Sequence, residues 1–464
     1  MLMNAPNCSW KFPKILTSVG TSLQPGRLVI ALLTVTLLML GGGIWDGLVP
    51  ATVSPQGLEA GTWSGEHELE DAGLLRRSLR RWTDVDLSNE QDTPTASEVL
   101  EALRNSRATA ISDGESDERV RAITRTINQV EAIRPRGAFE ATVETLGGNL
   151  NQFIDGMVQL APSRVIDAVV GTVYHLPASL WHAGQCWFLV FYGLFFCFVV
   201  GIGGGALSRM EACQHAANER LTMRDAMNHS IEYWPRFLVA LAMPMLLAVV
   251  MYGILLLIGF AGMNIPGLNI LTGLLYGLAL LVGFLLVLLL LGYSACSTLL
   301  IPAVAVENCE GADSMQRAWA YVLNRPLHML VYLVTALVGL ALGFLVVNVF
   351  ATMTINLTSS SIGAATFNDA IIEAGRMTSV FAPIEGRASG ESSMWTTTWT
   401  AGLISTWMML VQYMVAGWIF SYVMAASTRV YLLMRQACDG QDERLIWWPG
   451  MVEGTLSDGP GRDA

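Results

Sequence analysis

Residues 237–306 read FLVALAMPMLLAVVMYGILLLIGFAGMNIPGLNILTGLLYGLALLVGFLLVLLLLGYSACSTLLIPAVAV, seventy consecutive positions without Asp, Glu, Lys or Arg. A helix on the surface of a soluble fold keeps a charged or polar stripe toward water, and this run offers none. A bilayer core of ~30 Å takes about 20 apolar residues per helix, so the run holds two spans and a turn. The spans lie near Phe237–Gly262 and Leu271–Cys296, and Asn264-Ile265-Pro266-Gly267 supplies the turn. Ser297–Val306 is too short to span, and Pro302 predicts a broken helix end there. The whole chain agrees, with 53% of its 464 residues hydrophobic and 14% charged. That is about fifty charges fewer than a soluble chain of this length carries.

Working outward, Gly184–Gly205, Leu327–Phe350 and Gly402–Ala426 are three further spans. Leu28–Trp45 is the first in the chain and has two readings, an uncleaved anchor or a signal peptide cut near Val49-Pro50-Ala51. Its apolar run exceeds the ~7–15 residues of a signal core, which favours the anchor. The reading is an all-α polytopic membrane protein with about six transmembrane helices.

Arginine placement orients it, because cytoplasmic segments retain positive charge. With the N-terminus inside, the cytoplasmic face receives Lys11, Lys14, Arg27, Arg209, Arg220, Arg224, Arg236, Arg317, Arg325, Arg429, Arg435, Arg444 and Arg462. The outer loop 351–401 keeps only Arg376 and Arg387. Segment 50–180 holds twelve arginines against twenty acids, and long segments translocate regardless of charge. Cysteine agrees: Cys8, Cys213, Cys309 and Cys438 fall in cytoplasmic segments, Cys186, Cys197 and Cys296 in spans, and none outside. The domain plan is residues 1–49 as cytoplasmic N-terminus and anchor, 50–180 as an acidic extracytoplasmic segment, 181–432 as a five-helix membrane domain, and 433–464 as a cytoplasmic tail.

Segment 50–180 begins as linker, dominated by Pro, Gly, Ser and acids through Thr95. Val120, Ile123, Ile127, Val130 and Ile133 then follow helical spacing, ended by Arg134-Pro135-Arg136-Gly137. A second stripe runs from Phe139 to Val158 and a third from Val165 to Val173. On the cytoplasmic side, residues 209–236 read as one amphipathic helix and 310–326 as another of similar build. Placing Met227 on Met315 sets Asp225 near Asp313 and Tyr233 on Tyr321, a two-copy repeat leading each time into a span.

The run IPAVAVENCEGADSMQRAWAYVLNRP (Ile301–Pro326) resembles the segment before a late span in a family of bacterial, planctomycete-like polytopic membrane proteins. These are in turn similar to the membrane domains of glycerophosphodiester phosphodiesterases. The resemblance covers about Leu180–Phe350 and implies a helical membrane fold with no established activity. The phosphodiesterase domain, with its His-Arg-Gly opening and metal-binding carboxylates, has no counterpart here.

Few residues suggest chemistry. The two lysines, Lys11 and Lys14, stand in no phosphate-binding loop, and a net charge of −11 gives nucleic acid no basic face. No CxxC pair occurs. Gly201-Ile202-Gly203-Gly204-Gly205-Ala206 spells a dinucleotide fingerprint but lacks the preceding strand, so helix packing or unwinding is expected. Gly41-Gly42-Gly43 is read alike. Gly273-x-x-x-Gly277 and Gly339-x-x-x-Gly343 predict close helix approach within the chain. Glu211, His215 and Glu219 share one helical face, with His229 and Glu232 as nearby donors; the expectation is a solvated face and not a metal site. His175, His182, His328 and Asp46 are expected at the membrane–water boundary. The span cores hold no ionisable side chain, although Pro244, Gly292 and Pro302 interrupt them. These readings assign no catalytic, cofactor or metal residue. They point to a non-enzymatic scaffold of a bacterial inner membrane, with the bilayer and docked proteins as partners. The alternative is a transporter or channel for a neutral or lipidic substrate.

Overall fold

Among the described residues, six helices are long and apolar enough to cross a membrane, each seeded by one of the apolar runs. The computed structural model describes residues 13–49, 51, 53, 65–82, 96–112, 116–265, 268–365, 395–449 and 451–454. Cys8, Lys11, Pro50, Pro266, Gly267, Arg376, Arg387 and Arg462, all used above, lie outside them. In chain order the helices are α1 (Pro25–Leu48), α2 (Gly65–Trp82), α3 (Ala96–Ser112), α4 (Asp117–Ile133), α5 (Ala138–Val158), α6 (Pro162–Val170) and α7 (Leu176–His182). They continue with α8 (Cys186–Ala217), α9 (Met223–Glu232), α10 (Trp234–Leu257), α11 (Leu268–Leu274) and α12 (Tyr276–Glu307). The last three are α13 (Gly311–Asn324), α14 (Pro326–Ala365) and α15 (Trp395–Asp439). Two short turns (Pro13–Leu16, Ser18–Ser22) precede α1, and π-helical turns follow α6 and α10. Among the described residues the only extended pairing is an isolated bridge between Val53 and Arg136.

The helices outrun the apolar stretches that located them. α14 continues to Ala365 through Thr, Ser and Asn, and α15 begins at Trp395 and ends at Asp439. Hydropathy marks the length that lipid demands, whereas a helix stops only where its hydrogen bonding is broken. The break expected at Pro302 does not occur. α12 passes through that proline to Glu307, because every residue from Leu299 to Val306 is buried and packing outweighs the lost backbone bond. Conversely, the single helix expected over 209–236 is three pieces: the end of α8, then α9, then the start of α10. Asn218 takes a left-handed conformation (φ 55°) past the end of α8, and Thr222 caps α9 by accepting from Asp225 N–H. The stretch expected as linker contains α2, whose Leu79 packs with Val99, Leu103, Ile123 and Val130 of α3 and α4 in a small apolar core.

The chain forms two compact units. One consists of Met1–Leu38, Gly193–Val347 and Tyr413–Ala464, the other of Met39–Tyr192 and Asn348–Gln412. In the second, Asp46 is not simply interfacial. Its carboxylate accepts from the N–H groups of Phe139 (3.0 Å) and Glu140 (2.8 Å), capping the N-terminus of α5. Gly137 must be glycine there, since any Cβ would strike that carboxylate. Trp45, Phe188 and Tyr192 pack beside the cap.

In the first unit, glycines set the helix spacing. α8 stays helical through Gly203-Gly204-Gly205, and each glycine faces a different neighbour: Thr34 of α1, then Ile301 of α12 with Met424 of α15, then Ser230 of α9 with Phe237 of α10. Gly339 and Gly343 of α14 lie against Tyr422 and Trp418 of α15. Gly273 and Gly277 do not behave as expected. They stand on separate helices, α11 and α12, exposed and with no neighbour near the Cβ position, because the chain turns at Leu275 between them.

Candidate functional site

The charges missing from the span cores converge where the membrane helices of the first unit end. Glu211 of α8 is fully buried. One carboxylate oxygen takes Arg27 Nη1 from α1 and the other takes Arg429 Nε from α15. Arg27 also donates to Gln214 (2.6 Å), and Arg429 to the Lys14 carbonyl (2.6 Å). A buried carboxylate is tolerated only when paired and hydrogen-bonded, and here two guanidiniums from helices remote in sequence meet that need.

Glu307, the last residue of α12, repeats the arrangement. It accepts from Tyr431 OH (2.7 Å) and Arg435 Nη1 (3.3 Å), and pairs with Arg317 of α13. α15 thus supplies an arginine to each buried glutamate. Both glutamates lie near the end of a long helix that gives way to an asparagine of positive φ, Asn218 in one case and Asn308 (φ 51°) in the other. The two copies are not in register here, because the glutamate stands seven residues before its asparagine in α8 and one before it in α12.

The end of α12 has a further problem, since the last carbonyls of a helix have no partner within it. Asn308 N–H bonds the Val304 carbonyl (2.8 Å). Beyond that, Arg209 Nη1 reaches Ala305 O (3.0 Å), Trp447 N–H reaches Val306 O (2.8 Å), Gly454 N–H reaches Glu307 O (3.2 Å) and Arg236 Nη1 reaches Asn308 O (2.7 Å). Cations there also oppose the negative end of the helix dipole. The C-terminal segment is held across this end, with Trp447 and Trp448 both beside the Arg209 guanidinium.

The expected solvated face of Glu211, His215 and Glu219 is thus corrected. Glu211 is buried and ion-paired, His215 faces Glu443 (3.3 Å), and only Glu219 is exposed. The reason is that this face is covered by other parts of the fold: Arg27 and Arg429 close over Glu211, and Glu443 over His215. His229 is half-buried and Glu232 exposed, and among the described residues no three His, Cys, Asp or Glu converge as a metal site would require. His175 and His182 are exposed and His328 is half-buried beside Tyr332. Apolar and glycine patterning offered no hint of Arg27, Arg209, Glu307, Arg429 and Arg435 as partners. The available signal was a charge next to, or inside, an apolar helix. The chain matches no family model, no curated protein and no solved structure.

His229 allows a direct test. Its ring lies 5.0 Å from Tyr233 and 6.3 Å from Trp447, and burial together with the nearby Arg209 and Arg236 pushes its pKa down to about 3. An unfolded histidine titrates at about 6.5. The folded state therefore binds fewer protons below that pH, and its stability is full above 6.5 and falls as the pH drops toward 3. Between pH 7 and 5 the loss is about 2 kcal/mol. Melting of the detergent-purified protein should show this slope, and His229→Phe should flatten it. An equal slope in the variant would place the acid sensitivity elsewhere.

Proposed function

We propose that the protein is a non-enzymatic, multi-pass inner-membrane component of the bacterial envelope, a scaffold or assembly factor with both termini in the cytoplasm. The observation that carries this reading is the close packing of α8 against its neighbours in the first unit. Gly203, Gly204 and Gly205 bring their neighbours into contact, and Pro244 and Pro302 are buried within continuous helices where a transporter would unwind. The α2–α4 cluster, with its own apolar core, is a docking element for protein partners.

Two measurements test the proposal. Reporter fusions after Leu221, Arg317 and Asp439 are expected to read cytoplasmic, and after Glu115 and Glu385 extracytoplasmic. A cytoplasmic signal at Glu115 reverses the orientation. On native gels of solubilised membranes, deleting residues 65–133 should collapse a large assembly to the size of the free protein while the membrane part stays folded. Proteoliposomes should release glycerol and glucose no faster than empty vesicles, and rapid release would favour a transporter.

A second reading, the handling of a lipidic substrate, draws on an apolar groove of about 710 Å³ lined by Leu255, Ile258, Gly259, Tyr276, Gly283 and Phe284. It lies beside the π-helical turn Ile258–Met263, a distortion frequent at functional positions. The groove's lining stops at Val287, well short of Pro302 in sequence, so the scaffold reading ranks first.

A further inference from the structure

Four arginines around the end of α12 each donate in two directions, one toward the helix ends and one toward the C-terminal segment. Arg209 binds Ala305 O and, with its other terminal nitrogen, Trp447 O (2.7 Å). Arg236 binds Asn308 O and the Glu453 carboxylate (2.5 Å). Arg317 pairs with Glu307 and donates to Gly454 O (2.7 Å). Arg435 donates to Glu307 and to the carbonyls of Asp442 (3.3 Å) and Leu445. Their helix-side contacts all fall on residues 305–308, so the four guanidiniums ring the end of α12.

The acceptors on the tail side are a poor match for these donors. Four are neutral carbonyls and one is a carboxylate, Glu453, that is itself more than half exposed. Remove them, and four positive charges face the buried carboxylate of Glu307, Asp439 near Arg435, and about half a negative charge from the end of α12. Asn308 sits among them fully buried, with both side-chain amide atoms unpartnered, and the neighbouring His229 Nε2 is also without a partner. Fixed guanidinium donors with a local excess of positive charge match a phosphate group, whose oxygens accept from several arginines at once.

We propose that Gln441–Pro449 and Met451–Gly454 form a displaceable strap over a phosphate-binding cradle made by Arg209, Arg236, Arg317, Arg435 and the Asn308 amide. The strap's carbonyls and Glu453 occupy the donors that phosphate oxygens take when it lifts. This goes beyond the scaffold reading and does not depend on it. The phosphate belongs either to an anionic phospholipid headgroup or to a soluble phosphate, and the chemistry of recognition is the same.

The test uses full-length protein purified without phosphate, carrying Trp447→Ala and Glu453→Gln to loosen the strap while keeping the chain. Its thermal midpoint is followed against inorganic phosphate, and separately in nanodiscs of phosphatidylglycerol against nanodiscs of phosphatidylcholine, where the choline cation offsets the phosphate. The loosened protein should gain several degrees with an anionic ligand, and the unmodified protein much less. A gain with inorganic phosphate identifies a soluble source, and a gain with phosphatidylglycerol alone identifies the lipid; both support the cradle. Adding Arg317→Gln should raise the half-saturating concentration roughly tenfold or more.

A second measurement needs no variant. Trypsin cleavage after the exposed Arg444 of the unmodified protein should quicken when the same ligand is present, because the lifted strap is accessible. The proposal is overturned if neither ligand stabilises the loosened protein or speeds that cleavage. It is equally overturned if the stabilisation survives Arg317→Gln undiminished.

Discussion

Glu211→Gln is expected to cost the folded protein about 3–5 kcal/mol, enough to abolish monodisperse purification. The amide is nearly the size of the carboxylate, so packing is preserved and the loss is electrostatic. Arg27 and Arg429 stay buried with no negative charge between them, and neither has water to turn to. The control is a triple replacement, Arg27→Met, Glu211→Met and Arg429→Met. Buried ion triads recover little beyond their own desolvation, so this apolar version should be close to the original in stability. Denaturation of the three proteins in one detergent decides the matter. A mild Glu211→Gln and a ruinous triple would mean that shape, not charge, holds this point.

Gly203→Leu is the second large effect. The Cβ position already overlaps the side chain of Thr34, whose hydroxyl is committed to Ile30 O (2.8 Å) and lies fully inside the unit. A leucine there must push α1 from α8, and the flanking Gly204 and Gly205 hold α8 against other helices so that it cannot turn away. Overpacking of this kind costs about 3 kcal/mol or more. Gly203→Ala should be intermediate, and Gly273→Leu, at an open position on α11, near neutral. The comparison is read as expression in membranes and as the elution profile after solubilisation. Equal behaviour of the Gly203 and Gly273 variants would remove helix spacing as the role of the triglycine.

These two sites show what could be read in the chain and what could not. The six spans follow from local apolar runs, because a bilayer imposes the same length on every helix and leaves that mark in consecutive residues. α4 was legible from Val120, Ile123, Ile127 and Val130 for the same reason, since its period is local. The partners of Glu211 are not local: Arg27 lies 184 residues before it and Arg429 lies 218 after. An Arg–Glu stretch on a helix has the same spacing whether it faces water or other helices. Counting Arg27, Arg209, Arg236, Arg317, Arg429 and Arg435 as loop charges supplied an expected orientation, yet it hid that each one bonds a specific acceptor in the fold. α2 escaped notice because the acids and glycines around it mask a short leucine stripe that only α3 and α4 complete.

The spacing of the paired charges also sets an order of events during synthesis. At 5–20 residues per second, the 218 residues between Glu211 and Arg429 take roughly 10–40 s to make. Throughout that interval Glu211 has Arg27 as its one guanidinium. Glu307 waits through 128 residues for Arg435, with Arg317 following it at once. Glu211 thus has one arginine already made before it, Glu307 has one made just after it, and each receives a second with α15. The nascent chain can neutralise its buried acids early and become rigid late, when a single helix brings both remaining cations.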